Sequence, residues 1–505
     1  MAPKGCKTGA EMTIKLLVDA RGQHRKAFLQ RLVELSDGTV QVALHFGDRD
    51  ADFHAPCLQR MEVRDGKLGH MMKNHLSHGA DFQLLGSPEF RKMMETAVDQ
   101  MHRSASAYQY RAHNLDNLQD YLDYYHILAE AMAQRIIDSG ATHALFYIVP
   151  HLGYDTVMYQ VAKALGLKTI VLCQTIFPSL YFSVENIEDL GDFDPTGSDA
   201  PPMPIEKGSK PHLFYMDDRW QKQATKGRIT PKAVANFLKY MALREPAKLL
   251  QPWALLGMLR RISAIYGALP DWRDPFARFF HVNELAYFEH LAQFEDQQID
   301  LSGKFIYVPL HNQPEMSTSA LGGPWRDQVL MIEALSRHLP EGWEILVKEN
   351  PRQGSYARGP FFWHRLARIR GVRFVPSGLS THDLSDQAQF VATVTGTAAW
   401  EAIRKGRPAV VFGNAWYKNL PGIFRFHEGM DFTQVATARV DHDLLCQHAG
   451  ALIARCHKGV IEQVYLENTD SYDPQENTDE VAKTTLGLLR GDIALTFPGV
   501  GRGGA

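Results

Sequence analysis

Cysteine is scarce in this sequence: five in 505 residues (Cys6, Cys57, Cys173, Cys446 and Cys456), with no CxxC spacing among them. That excludes a disulfide framework and a thiolate zinc site, and reads as the incidental thiols of a reducing compartment. Long apolar runs are missing too. None reaches the roughly 18 to 20 residues that cross a bilayer, and the opening MAPKGCKTGAEM has no apolar signal core. A cytoplasmic location is therefore expected. Net charge is −3, so there is no bulk positive field to hold nucleic acid. The chain has no Walker A loop, GxSxG elbow or HExxH helix, which removes the P-loop, α/β-hydrolase and zincin readings. What is there is ordinary globular composition, 45% hydrophobic and 22% charged, in a chain too long for one core, so two domains or more are expected.

The most informative stretch is QFVATVTGTAAWEAIRKGRPAVVFG, residues 389–413. A β-branched run (Phe390, Val391, Val394) meets Thr395-Gly396-Thr397, passes into an alanine-rich segment ending at Lys405-Gly406, and is followed by a second apolar run from Ala409 to Phe412. The pattern is strand, tight turn, short helix, strand. Gly396 lets the backbone approach a ligand, the threonines beside it are placed to cap the helix, and the first helical N–H groups favour a phosphate or another anion.

Upstream, Thr13–Val18 and Val40–Phe46 read as strands around a helix over 25–35, the start of a Rossmann-like layer, although no GxGxxG follows the first strand. Residues 142–174 form a sharper βαβ unit, with Pro150-His151-Leu152-Gly153-Tyr154-Asp155 at the carboxyl end of its first strand. Residues 185–215, rich in Asp, Pro, Gly and Ser, read as a long surface loop over substrate, 217–298 as a helical insertion and Leu301-Ser302-Gly303 as a hinge. Beyond it, strands at 304–309, 343–347, 372–375 and 390–394 each end in a polar loop. Several such loops at one edge of one parallel sheet predict a binding cleft.

A nucleotide diphosphate or monophosphate needs cations, backbone N–H donors and a place for its ribose and base. Lys348 and Arg352 are placed to neutralise phosphate, the Thr395–Thr397 turn to donate N–H and hydroxyl groups, and Glu401, one helical turn on, to take a ribose hydroxyl. His311 and Glu315 flank Pro314 and are placed to position sugar hydroxyls or a carboxylate. Glu349 reads either as a donor contact or as half of a solvated pair with Lys348, and Trp416 and Tyr417 either stack on a base or pack. In the amino-terminal half, His151 and Asp155 are candidates for general base on an acceptor hydroxyl, or for a nucleophile under retention; Asp155 serves equally as a helix cap. Asp19 and His24 are weaker candidates of the same kind. No metal-ligand set and no cofactor are assigned.

In their order and spacing, PHLGYDTVMYQVAKALGLKTIVL, YVPLHNQPE with its Gly-Gly loop, ILVKENPRQ and VTGTAAWEAIRKGRPAVVFGNAWY resemble the capsule polysaccharide biosynthesis and export group of bacterial glycosyltransferases. Known members of that group include Kdo transferases using CMP-Kdo. The resemblance implies an α/β fold of the GT-B kind: two Rossmann-like domains facing across a cleft, with a helical insertion. The expected domains are an acceptor domain over 1–300, a nucleotide-sugar donor domain over 301–490 and a flexible tail over 491–505. It further implies metal-independent transfer to a surface polysaccharide or glycolipid, with Lys348, Glu349 and the Thr395–Thr397 turn touching the donor. Related transferases that use CMP-sugars often carry a His-Pro pair where this chain has Asn350-Pro351. Either Asn350 gives phosphate a neutral hydrogen bond in place of imidazole, or the donor differs. A nucleotide-sugar epimerase or a CDP-polyol phosphotransferase on the same scaffold, and a non-catalytic glycan-binding export component, are the rival readings. Basic and aromatic residues mixed over 248–269 leave peripheral contact with the inner membrane face open, beside a buried helix.

Overall fold

In a computed structural model, the described residues are 13–47, 51–54, 88–104, 118–208, 235, 238–239, 241–242, 246–268, 284–295, 297–313, 315–350, 353, 358–469 and 472–499. In chain order the strands are β1 (Ile14–Asp19), β2 (Val40–Gly47), β3 (Phe53–His54), β4 (His143–Phe146), β5 (Lys168–Gln174), β6 (Leu180–Val184), β7 (Lys304–Pro309), β8 (Trp343–Lys348), β9 (Val372–Val375), β10 (Phe390–Thr393), β11 (Ala409–Val411), β12 (Ile423–Arg425) and β13 (His457–Lys458). The central ones are continuous apolar runs. Leu16, Leu17 and Val18 of β1 are fully buried, as are Ile345, Leu346 and Val347 of β8. Strands sealed on both faces cannot alternate polar with apolar, and sheets of this kind are parallel and covered by helices.

Two sheets result, ordered β13-β6-β5-β4-β1-β2-β3 and β12-β11-β10-β7-β8-β9. The first is parallel from β1 to β5 and ends in antiparallel β6 and β13. The second is parallel throughout. Renumbered within its own sheet, each begins 3-2-1-4-5-6, the doubly wound order of dinucleotide-binding folds. The expected α/β architecture of two Rossmann-like units is what the chain forms.

The division falls elsewhere than expected. One compact unit is Met1–Phe193 with Arg455–Ala505 and the other is Asp194–Ala454, in place of 1–300 and 301–490. The chain returns to the first unit because the helix Pro474–Arg490 has an apolar face that needs cover. Its Val481, Ala482, Leu486 and Leu489 share one core with Phe28, Leu29 and Leu32, and β13 adds to β6. The expected flexible tail is docked over part of its length, since Thr496 and Phe497 are fully buried and the Phe497 N–H donates to the Ser183 carbonyl at 3.2 Å; residues 500–505 lie outside the described residues.

Leu301-Ser302-Gly303 is not a boundary either. The helix Glu284–Glu295 ahead of it belongs to the second unit, where Tyr287 and Leu291 share a core with Trp363 and Phe374. The described helices of the expected insertion, Pro246–Leu249, Pro252–Ala268 and Glu284–Glu295, are thus in the second unit and not in an acceptor domain. Residues 201–205 of the expected substrate loop lie on the helix His442–Arg455: the Met203 N–H donates to the Cys446 carbonyl at 2.8 Å, and His442 Nε2 meets the Ile205 carbonyl at 2.8 Å.

Candidate functional site

Each sheet reverses its winding between two neighbouring strands. In the second unit the chain leaves β7 for β8 and β9 on one side, and β10 for β11 and β12 on the other. Crossovers that part in this way open a crevice at the carboxyl ends of the two strands. His311, two residues beyond β7, and Thr393, the last residue of β10, meet there with His311 Nε2 2.7 Å from Thr393 Oγ1. The Gly396 N–H donates to the same hydroxyl oxygen at 3.2 Å. The Thr393 hydroxyl thus joins the imidazole to the turn, its oxygen accepting the Gly396 N–H. Burial, and after it the Arg358 charge, push the His311 pKa down to about 3, so the ring acts as a neutral imidazole.

Gly396 is required by space and not by its backbone angles. It is the N-cap of the helix Thr397–Arg404 at φ −73°, and a Cβ on it would sit 2.8 Å from both His311 Cε1 and Thr393 Oγ1. Its carbonyl accepts from the Tyr417 hydroxyl. Neither neighbouring threonine caps the helix, contrary to expectation. Thr395 donates to the Ser317 carbonyl at 2.7 Å, and Thr397 hydrogen-bonds Glu401. The helix start therefore has no side-chain cap, although its Ala399 N–H donates to the Gly396 carbonyl at 3.2 Å, and an uncapped helix start is the arrangement that takes an anion.

Lys348, at the end of β8 and 6% exposed, donates to Thr381 Oγ1 at 3.0 Å. Beneath it lies a brace that carries no sequence signature. Glu349 Oε1 accepts the Asn350 N–H at 2.6 Å and pairs with Arg358, while Oε2 accepts from the Tyr287 hydroxyl at 3.2 Å. Arg358 also donates to the His311 carbonyl. Gln353 Oε1 accepts the Gln313 N–H at 2.6 Å, and its Nε2 donates to the Gln313 carbonyl at 2.9 Å. The loops after β7 and β8 are thereby joined, and the Glu349 carboxylate points into that joint. Asn350 is half-buried, Glu315 is exposed with its carboxylate on Ser317 Oγ at 3.1 Å, and Arg352 lies outside the described residues.

Glu401 is 5% exposed, and burial pushes its carboxyl up to about 7 against the opposing pull of Lys405 and Arg404. Its Oε2 stands 3.9 Å from His382 Nδ1. Trp416 and Tyr417 are packing residues: Trp416 lies 5.2 Å from Trp400 between ring centroids, and Tyr417 is fully buried.

In the first unit the winding reverses between β1 and β4. Asp19, ending β1, accepts from Arg21 Nε at 3.0 Å, and Arg21 Nη2 is 3.7 Å from Asp155 Oδ2. The guanidinium covers the Tyr154 ring at 5.3 Å. Asp155 has no exposed surface, and its Oδ1 accepts the Leu152 N–H at 2.7 Å, so it holds the start of the helix Tyr154–Ala164. His151 is half-buried. Its Nδ1 donates to the Val149 carbonyl at 2.7 Å, which leaves Nε2 as the acceptor, and burial lowers its pKa. Arg25 and Glu462 complete a charged cluster in which burial raises the Asp19 and Glu462 carboxyls. His24 is lowered by burial and by Arg25.

After β2 the sequence also carries Asp48, Asp50 and Asp52 as a DxDxD run. Asp52 Oδ2 accepts the His45 N–H at 2.8 Å, and Asp48 and Asp50 lie outside the described residues.

A search of curated proteins finds no match. Among solved structures, the chain is similar to KpsC of Thermosulfurimonas dismutans, a beta Kdo 2,7 transferase, at 12% identity over 63% of this chain and 79% of that one, with a TM-score of 0.26. It is also similar to UDP-GlcNAc 2-epimerase from Methanocaldococcus jannaschii, at 10% identity over 88% and 99% with a TM-score of 0.23. Anabaena HepE in complex with UDP and glucose matches at 11% identity over 95% of both chains with a TM-score of 0.23. These scores add nothing to the strand order as an argument. The sequence itself is more specific: residues 285–451, which hold β7 to β12 and every candidate residue of the second unit, match the family described as capsule polysaccharide biosynthesis protein, as the resemblance implied.

Proposed function

We propose that this chain is a glycosyltransferase of capsule polysaccharide assembly. Its second unit takes a nucleotide-sugar donor and its first unit the glycan or glycolipid acceptor. The observation that carries the reading is the β7/β10 reversal, where a neutral His311, the Thr393 hydroxyl and the uncapped helix start at Gly396 come together. Donor phosphate sits at that helix start with Lys348 as its cation. Oriented N–H groups and a fixed ammonium stabilise the departing phosphate without a reorganisation cost, the part a divalent ion plays in other transferases. Glu349 then positions and does not bind: its oxygens are occupied by Arg358, Tyr287 and the Asn350 N–H. In the first unit, His151 keeps Nε2 as its acceptor nitrogen, which suits a base on the acceptor hydroxyl, and Asp155 and Arg21 set its field.

CMP-Kdo is the first donor to try, because the family resemblance points to it. The test is thermal unfolding of the full chain with CMP, UDP, GDP and CDP, each with and without Mg²⁺ and EDTA, followed by product analysis with the preferred nucleotide's sugar and an acceptor. One nucleotide should raise the midpoint independently of Mg²⁺, since a ligand that binds only the folded state stabilises it by mass action. Lys348→Ala should abolish that shift while leaving the unliganded midpoint within a few degrees. Sugar turnover that proceeds equally without acceptor would instead make the protein an epimerase.

A further inference from the structure

The helix Pro252–Ala268 is anchored on one side only. Ile262 and Ile265 are 4% and 5% exposed, Ile265 shares the second unit's core with Tyr287 and Leu291, and Arg261 pairs with Glu289 along the same seam. The other side is bare. Trp253 is 83% exposed, Leu259 55% and Leu256 39%, and Leu250, just ahead of the helix, is 86% exposed. No other window of this length among the described residues exposes so many large apolar side chains. At the helical period, Trp253 stands about 180° and Arg260 about 160° from Ile262, with Leu256 and Leu259 between them and the anchored face. Single exposed apolar residues are normal, but a cluster marks an interaction surface.

The charges decide what it meets. From Pro246 to Pro270 there is no Asp or Glu, while Lys248, Arg260 and Arg261 are basic, in a chain whose net charge is −3. An exposed tryptophan beside an exposed arginine, with aliphatic residues next to them and no acid, suits the boundary between lipid phosphates and acyl chains. No helix among the described residues is long and apolar enough to cross a membrane, so a helix of this kind lies in the surface plane. We propose that this face seats the protein on an anionic phospholipid surface, with Trp253, Leu256 and Leu259 entering the headgroup boundary and Arg260 on the lipid phosphates. This goes beyond glycosyl transfer, and its test reads binding and not turnover, so either reading can fail alone.

The full chain is floated with vesicles of phosphatidylcholine, and with vesicles containing roughly 30% phosphatidylglycerol, where a basic side chain near the surface is worth about fivefold in binding. Wild type should float with the anionic vesicles and lose binding as salt rises. Arg260→Gln should bind about fivefold more weakly. Trp253→Ser combined with Leu256→Ser should bind at least about tenfold more weakly, by the apolar surface withdrawn, with the unfolding midpoint and the nucleotide-induced shift unchanged. Wild type that stays in the dense fractions, equal flotation on both compositions, or variants that float like wild type would overturn the proposal. So would a dimer in lipid-free buffer that the Trp253/Leu256 variant dissociates, because the face would then belong to a second copy.

Discussion

At the scale of single residues, the site depends on one missing methyl and two shifted protons. Gly396→Ala places a Cβ where His311 and Thr393 now touch. The variant should lose about 1–3 kcal/mol of stability from overpacking and most of its nucleotide-induced midpoint shift, both read from the same unfolding curves. Full retention of the shift would remove the turn from the binding site. Glu401 and His311 pull stability in opposite directions with pH. The folded chain holds the Glu401 proton up to about pH 7, against a usual value of 4.5. It therefore binds more protons than the unfolded chain in that window, and stability falls as pH rises through it. Glu401→Gln removes that loss, so its midpoint relative to wild type should climb between about pH 5 and pH 8, by on the order of 3 kcal/mol in free energy. A constant difference across the range would show that the carboxyl does not titrate there. His311, depressed to about 3, acts the other way: the unfolded chain takes the proton first, and stability drains as pH falls from 6.5 toward 3.

At the scale of elements, the loops after β7 and β8 are held by the Glu349–Arg358 pair, whose side chains are 3% and 0% exposed. Removing one member of a buried pair leaves the other charge without compensation. Arg358→Met should cost about 3–5 kcal/mol, and Arg358→Met with Glu349→Leu should recover much of it; additive losses in a denaturant double-mutant cycle would contradict the coupling. Strands and helices around this brace were legible, because β7, β8 and β10 are unbroken apolar runs and the turn at Gly396 carries its own signature. The brace was not. Arg358 in RQGSYARGP has no periodic pattern about it, and Gln313 and Gln353 gain meaning only when two loops forty residues apart are laid side by side. Lys348 and His311 were read from their positions after strands. Glu349 was read there too, but a carboxylate next to a lysine looks the same in sequence whether it faces a ligand or a buried arginine.

At the scale of the whole molecule, the first unit is closed by chain that follows the second. A protein ending before Asp473 would expose the core that Val481, Leu486 and Leu489 complete with Phe28 and Leu32. It should lose the cooperative unfolding of the first unit, and limited proteolysis should cut within 13–193 while sparing the second unit. Survival of both units intact would show that the helix Pro474–Arg490 is an accessory.

Taken alone, the sequence determined the α/β class, the parallel runs, the glycine turn and the loops that carry polar residues, because these follow from local periodicity and from residues that fit few backbone shapes. Tertiary structure decided where the sheets reverse, which of those loops become neighbours and to which unit the last helix returns. It also decided which carboxylates point inward. Those outcomes depend on which surfaces bury one another across long separations in the chain, and no window of neighbouring residues contains that information.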